Sequence, residues 1–510
     1  MTHLLAITIF SPFLAALILL FLPQRAKLAI RWASLLGAVV PCATSVLLLS
    51  RYDAAVGGFQ FVTSLPLIPK LGLSWHLGVD GIGVPLVFLT AIIHLTSVFT
   101  SWTLKEREKE FFLFVALLVT GVYGVFISLD LFLFFLFYEL AVLPMYVLIG
   151  IWGSSMDVPG QGPFAGLFKK VGVGQKEYGA MKLTLYLLAG SAFILVGIFL
   201  LWVEGGKQLG SGTFDYVALS KAAFHGGIGR TMFLLFYVGF GVLAGIWPFH
   251  TWSPDGHAAA PAAGSMMHAG VLMKLGAYGV LRVGFGLLPE AAHDLAWLVG
   301  LVAVINIIYG ALGAGWQKDI KYLIAYSSVS HMGIVMLGMA TLNEAGITGS
   351  VYQMVAHGIM TALFFTLVNL VYNISHVRDM TKMGGFAHRM PGMAAFFVIA
   401  GLSSLGLPGL AGFVAEFLVF LGAWNSAHPW WLVPGVIGAF ITALYVLRAV
   451  RTIFFGPAPS GHAELRDARG VEWLSFVILS GALIVFGVWP RLILGPLNAG
   501  VAELLTRLGN

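Results

Sequence analysis

Runs of about twenty apolar residues recur along this chain from one end to the other, near 4–22, 30–50, 82–103, 112–128, 129–152, 181–203, 231–255, 261–287, 293–314, 321–341, 347–374, 393–422, 430–455 and 471–494. A run of that length spans the roughly 30 Å hydrocarbon core of a bilayer as a helix. In lipid the backbone must satisfy its own hydrogen bonds, which leaves only helices and closed barrels, and these runs are too long for barrel strands. The expected fold is therefore all-α and polytopic, with about fourteen transmembrane helices. Only 10% of the residues are charged, against roughly 25% in soluble domains, and no stretch is left for an extramembrane catalytic domain. The first run is followed by Pro23, Arg25 and Lys27 without a small-residue cleavage site, so it reads as a retained span.

The net charge of +6 does not point to nucleic acid, because the basic residues lie in short loops between the apolar runs. With fourteen alternating spans, loops after odd-numbered helices carry nineteen Lys and Arg residues, among them Lys105, Arg107, Lys169, Lys170, Lys318, Lys321 and Arg378; the opposite loops carry eight, including Arg282. The positive-inside rule then places the first set in the cytoplasm and both termini outside, in the inner membrane of the cell. Only Lys274 is left inside a span. The polar stretches 51–80, 153–180, 204–230 and 456–470 are too short for domains. Lys169, Lys170 and Lys176 in the second of these face the cytoplasm, where a partner subunit or lipid headgroups can meet them, although a solvated loop explains them as well.

Pro248 in the seventh helix and Pro408 in the twelfth each remove a backbone donor and are expected to break their helices. The helix after each ends in Val-Leu-Arg, at 280–282 and 446–448. Helices 4–8 and 9–13 then read as two five-helix copies, necessarily of opposite orientation, a common architecture of transporters. The expected organisation is helices 1–3 over 1–110, a first repeat over 111–290, a second over 291–456, and a C-terminal loop and helix over 457–510.

An ionisable group at a helix centre costs roughly 2.5 to 3.5 kcal/mol and must face protein or water. Glu139, Lys274, His331 and His357 fall near the middles of helices 5, 8, 10 and 11, and Glu416 near the outer end of helix 12. Each alone reads as an interhelical tie. Five together, among glycine-rich helices, read more readily as a lateral proton relay, since histidine titrates near neutrality and burial tunes the others. His250, Asp255 and His257 in the broken segment are possible supporting groups. As metal ligands they lack the usual helical spacing and a carboxylate cluster. His331 and His357 as haem ligands lack any other mark of a porphyrin pocket. The single cysteine, Cys42, excludes an intramolecular disulfide and a cysteine-held iron–sulfur cluster. No nucleotide loop is expected, because the sequence shows no strand for it to follow.

The strings FYELAVLPMY, PFHTWSPDGHAAAP, GSMMHAGVLMKLGAYGVLR, SSVSHMGIV, VAHGIMTALFF and GLPGLAGFVAEF together closely resemble the antiporter-like subunit M family of proton-pumping NADH:quinone oxidoreductase, respiratory complex I. The resemblance runs through helices 3 to 13. It implies fourteen helices with two inverted five-helix repeats, a charged axis in the membrane plane, and other membrane subunits of such a complex as partners. It implies no cofactor in this chain, with NADH, flavin, iron–sulfur clusters and quinone in partner subunits. Carried over residue by residue, it makes Glu139, Lys274, His331 and His357 the proton-transfer groups and Glu416 the one near the exit.

One position departs from the family. Its helix-7 lysine, about five residues before the broken-helix proline, is Leu243 here, and FYVGFGVLAGIWPFH contains no Lys or Arg. Glu139 then lacks the ammonium that would favour its charged form. Two other functions remain open on this sequence: a scaffold paralogue that docks neighbours without pumping, and a subunit of a multisubunit cation/proton antiporter or membrane-bound hydrogenase.

Overall fold

The computed structural model describes residues 3–155, 171–457 and 465–509. Lys169 and Lys170 lie outside the described residues. The chain is almost wholly helical. In order, α1 is Leu4–Phe21, α2 Lys27–Arg51, α3 Gly83–Thr100, α4 Glu108–Ile127, α5 Leu131–Trp152, α6 Lys176–Leu209 and α7 Gly226–Ala244. Then α8 is Trp252–Ala259, and α9 starts at Ala262–Met267 and continues through 268–285. After it come α10 Pro289–Trp316, α11 Ile320–Ala340, α12 Glu344–Ser375, α13 Pro391–Ser404, α14 Ala411–Trp424, α15 Leu432–Phe454, α16 Glu472–Val488 and α17 Arg491–Leu508.

Among the described residues eleven helices are long and apolar enough to cross a membrane, or twelve if α16 and α17, bent by 67°, make one span. The expected total of fourteen is reached only by counting two interrupted helices, 262–285 and 391–424, as spans. The breaks expected at Pro248 and Pro408 are both present, the first between α7 and α8 and the second within 391–424. The chain leaves α7 at Gly245, in a left-handed turn before Pro248, and leaves α13 for Gly406, Pro408 and Gly409 before α14 begins.

The expectation that the chain has no strand is wrong. Gln60–Ile68 (β1) and Leu73–Val79 (β2) form an antiparallel hairpin within the stretch read as a polar loop. Val62, Thr63, Leu65, Trp75 and Leu77 suit a pleated surface, and the turn rests on Gly72 at φ +67°. A single short hairpin is marginal alone and needs a support to pack on. Here β2 lies across the α4–α5 junction, where Leu129 N–H donates to His76 O at 2.8 Å and Asp130, the N-cap of α5, accepts from Ser74 N–H at 2.9 Å. His76 also pairs with Asp215, which caps the short helix Tyr216–Leu219.

Arg282 and Lys321, assigned above to loops, are buried at 9% and 2% exposure. Arg282 sits in the last turn of α9, pairs with Asp80 at 2.5 Å and is ringed by Phe59, Tyr216 and Tyr278. It therefore joins the hairpin segment to α9. A charge count by loop misplaces such residues because it sees position in sequence and not the carboxylate supplied from elsewhere.

Burial alone works against the Asp215 carboxylate, but the His76 hydrogen bond and the Ala218 N–H outweigh it and hold the carboxyl below the usual carboxylate range. A depressed carboxyl stabilises the fold above its unfolded value of about 3.9 and loses that contribution as pH falls through the folded value. Asp215→Ala removes both cap and pair, at a cost of about 1 kcal/mol. Hydrogen exchange over 73–79 is then expected to quicken about fivefold at neutral pH, and unchanged exchange would mean that the Asp130 contacts hold the hairpin by themselves.

Candidate functional site

Lys274 lies on α9 and is fully buried. The residues before it, His268–Leu272, form a π-helical turn, and a second such turn follows at Val280–Phe285. Such turns loosen the regular hydrogen-bond ladder and open carbonyls to other donors. The Lys274 ammonium donates to the Ala269 carbonyl within the first turn. Its second partner is His357 Nδ1 on α12, at 2.6 Å. An ammonium only donates, so Nδ1 accepts and the proton of a neutral His357 sits on Nε2. That Nε2 has no hydrogen-bond partner among the described residues.

The ring of His331 on α11 follows, 5.2 Å from that of His357 between centroids. Its Nδ1 is 2.7 Å from Ser327 O and its Nε2 3.1 Å from Ser404 O. Ser404 ends α13, so the break before Pro408 leaves this carbonyl open to a side chain. Carbonyls only accept, and the imidazolium alone donates to both. Glu416 Oε1 on α14 lies 3.7 Å from the same Nε2. Glu416 is 6% exposed, so it is enclosed with His331 in the protein interior and does not stand apart at a surface.

On the other side of Lys274 lie two histidines of the broken segment. His257 at the end of α8 and His268 on α9 are fully buried, with ring centroids 4.3 Å apart, and neither ring has a hydrogen-bond partner among the described residues. Asp255, one half-turn earlier, is held by Lys182 of α6 at 2.7 Å and by the Tyr322 hydroxyl of α11 at 2.9 Å. His250 is buried against the Tyr309 ring, 4.8 Å away, outside this chain of groups.

Four of the five expected residues, Lys274, His357, His331 and Glu416, thus form one line, and His268 and His257 make a separate buried ring pair on α9 and α8. The fifth does not join it. Glu139 on α5 is half-buried and makes no ion pair among the described residues. The Ser191 hydroxyl of α6 faces it but donates to Leu187 O at 3.0 Å, and Glu139 Oε1 has no hydrogen-bond partner among the described residues. Leu243 is fully buried on α7, one turn beyond Phe240, which stacks edge-on against Tyr138. Sequence reasoning missed His268, Lys182 and Lys321. His268 is six positions before Lys274, a spacing that puts two side chains on different faces of a regular helix, so the sequence offers no reason to group them.

The model of the NADH:quinone oxidoreductase/Mrp antiporter transmembrane family matches residues 128–442. The chain is 37% identical over 494 residues to NAD(P)H-quinone oxidoreductase chain 4 2 of Thermosynechococcus vestitus, covering 94% of this chain and 87% of the relative. It is 34% identical over 523 residues to NADH-quinone oxidoreductase subunit M of Rhodobacter capsulatus, covering 99% and 97%. Its structure is similar to a chain of respiratory complex I from Thermus thermophilus with bound NADH, at TM-score 0.84 and 26% identity, covering 98% of this chain and 99% of that one. The fold also matches a chain of the Mrp complex from Dietzia sp., at TM-score 0.82 and 18% identity, covering 100% and 99%.

With no cation beside it, Glu139 has little to lose by substitution. Glu139→Gln is expected to leave coupled proton pumping by the assembled complex in sealed vesicles within about twofold of wild type, a change of less than 1 kcal/mol in a barrier. A tenfold loss would show that a cation from a neighbouring subunit pairs with it. Leu243→Lys places an ammonium where no described carboxylate pairs with it and is expected to destabilise the chain by a few kcal/mol, read as a lower yield of assembled complex; wild-type yield would show that Glu139 reaches it.

Proposed function

Since the chain belongs to the NADH:quinone oxidoreductase/Mrp antiporter membrane family, we propose that it is a proton-translocating membrane subunit of a complex I-type NADH:quinone oxidoreductase. The observation that carries this reading is the buried line from Lys274 through His357 and His331 to Glu416, in which every member can take up or release a proton, with the His257–His268 ring pair buried on α8 and α9. Electron transfer runs in partner subunits, which hold NADH, flavin, iron–sulfur clusters and quinone. This chain supplies the translocase part. Its partners are the neighbouring membrane subunits and the lipid bilayer.

In this reading Lys274 is the central exchange group. It is held by a neutral carbonyl and a neutral imidazole, so a proton can leave it for His357 without breaking an ion pair. His331 passes charge to Glu416, the last carboxylate of the line, which releases it on the outer side of the inner membrane. The basic loop set faces the cytoplasm and both termini face outward. The two five-helix repeats over 111–290 and 291–456 supply the broken helices, with 1–110 and 457–510 flanking them.

A subunit of a cation/proton antiporter or hydrogenase shares this fold, but the relatives of highest identity named above are quinone oxidoreductase chains. Glu139 without a cation favours a first repeat that does not switch in the family's manner. The remaining line lies mostly on the second repeat and on α9, so the loss does not reach it.

Lys274→Met and Glu416→Gln, each in the intact complex in sealed vesicles, are expected to lower proton pumping at least tenfold, about 1.4 kcal/mol in a rate-limiting barrier, while the complex still assembles. Wild-type pumping and coupled quinone reduction in both variants would establish the scaffold function instead.

A further inference from the structure

We propose that protons enter this line through a polar cavity at the basic-loop end of the bundle, and that Lys321 passes them from the cavity to His257 without involving Glu139. The inference rests on the function proposed above and assigns its uptake route.

The cavity, of about 430 Å³, opens between the ends of α3, α4, α5, α6, α11 and α12. Thr103, Lys105 and Glu106 stand at its exposed rim, while Ser154 and Asn369 line it further in. Lys321 also lines it, yet is only 2% exposed, so its ammonium turns inward. Nζ donates to the carbonyl of Ala260 at 3.0 Å. Ala260 joins α8 to α9 in an extended conformation, and the next residue, Pro261, has no N–H. The carbonyl is thus exposed to side chains by the helix break, and the cation reaches the break that also carries His257.

His257 lies one turn back along α8, and the charges of both Lys321 and Lys274 act on it. Its ring lies 4.3 Å from that of His268, tilted by 37°. Lys321 makes no ion pair with a carboxylate among the described residues. Its neighbour Asp319 is held by Arg378 at 2.9 Å. The alternative donor, Asp255, has both oxygens occupied, by Lys182 and Tyr322. A lysine that lines a polar cavity and donates to a neutral carbonyl can exchange its proton without losing a salt bridge.

The first experiment compares Lys321→Met, Lys321→Arg and Lys274→Met in the intact complex in sealed vesicles. Arginine keeps the positive charge and the donor to Ala260 but does not release its proton at physiological pH. Both Lys321 variants are expected to lose pumping at least tenfold. Wild-type pumping in Lys321→Arg with loss in Lys274→Met overturns the inlet alone, since a structural cation would be enough. Normal pumping in both overturns the proposed function and the inlet with it. The second experiment places a cysteine in the cavity with Asn369→Cys and adds a membrane-impermeant thiol reagent from the cytoplasmic side, with the wild type, which holds only Cys42 in this chain, as control. Reaction at the new cysteine with loss of pumping is expected. Complete modification without loss, or no modification at all, would show that the cavity is not the route.

Discussion

A cation buried in a helix bundle surrounded by lipid needs a partner, and the partner here is a backbone carbonyl released where a helix is interrupted. Lys274 takes Ala269 O from a π turn, Lys321 takes Ala260 O from the α8–α9 break, and His331 takes Ser404 O from the end of α13. Carboxylates serve mostly elsewhere, although Glu416 Oε1 also lies 3.7 Å from His331 Nε2. Asp80, Asp255 and Asp319 are bound to Arg282, Lys182 and Arg378. The molecule therefore uses two kinds of electrostatics. Ion pairs lock the segments that hold the bundle together, whereas basic groups on neutral acceptors remain able to exchange protons.

This division bears on Glu139, which has no lysine beside it at Leu243. Had Glu139 been locked into the interior without a cation, the cost of burying its charge would fall on folding. It is instead half-buried on a face of α5 where Leu136, Leu143 and Tyr146 are also exposed. That face is available to lipid or to another subunit, so the carboxyl is not forced to find its partner within this chain. The interior line, in contrast, keeps all its members on α9, α11, α12 and α14. The two broken segments, at 245–261 and 405–410, thus differ in what they hold.

Much of this was legible in the sequence. Apolar runs placed most helices to within a few residues, because lipid leaves the backbone no alternative, but the run 231–255 overshoots the end of α7 and α17 (Arg491–Leu508) begins where the last run was expected to end. Pro248 and Pro408 marked both breaks, since the missing donor is a local property. Lys274, His331, His357 and Glu416 stood out as charges in apolar helices, and they do converge. What stayed hidden depends on relations between distant segments or on irregular geometry. His268 meets His257 only because the α8–α9 break brings their rings together, and Arg282 is internal only because Asp80 arrives from 202 residues away. The hairpin escaped notice because Pro66, Pro69 and Gly72 break its alternation, and its support comes from the α4–α5 junction.

The irregular turns also bear on how a line of buried bases can work at all. Proton exchange between neighbours requires small changes in side-chain position as charge moves, and a close-packed interior resists them. α9 meets this with two π turns on either side of Lys274, while Gly276 lets it press against α7, where a Cβ would strike the backbone of Phe240 and Ala244. The helix is thereby fixed in place by its glycine contact and by Arg282 at its end, yet loosened in its own hydrogen-bond ladder beside the lysine. Rigid attachment with local slack holds the ammonium against both Ala269 O and His357 Nδ1, and in the proposed relay the contact with His357 is the one that hands the proton on.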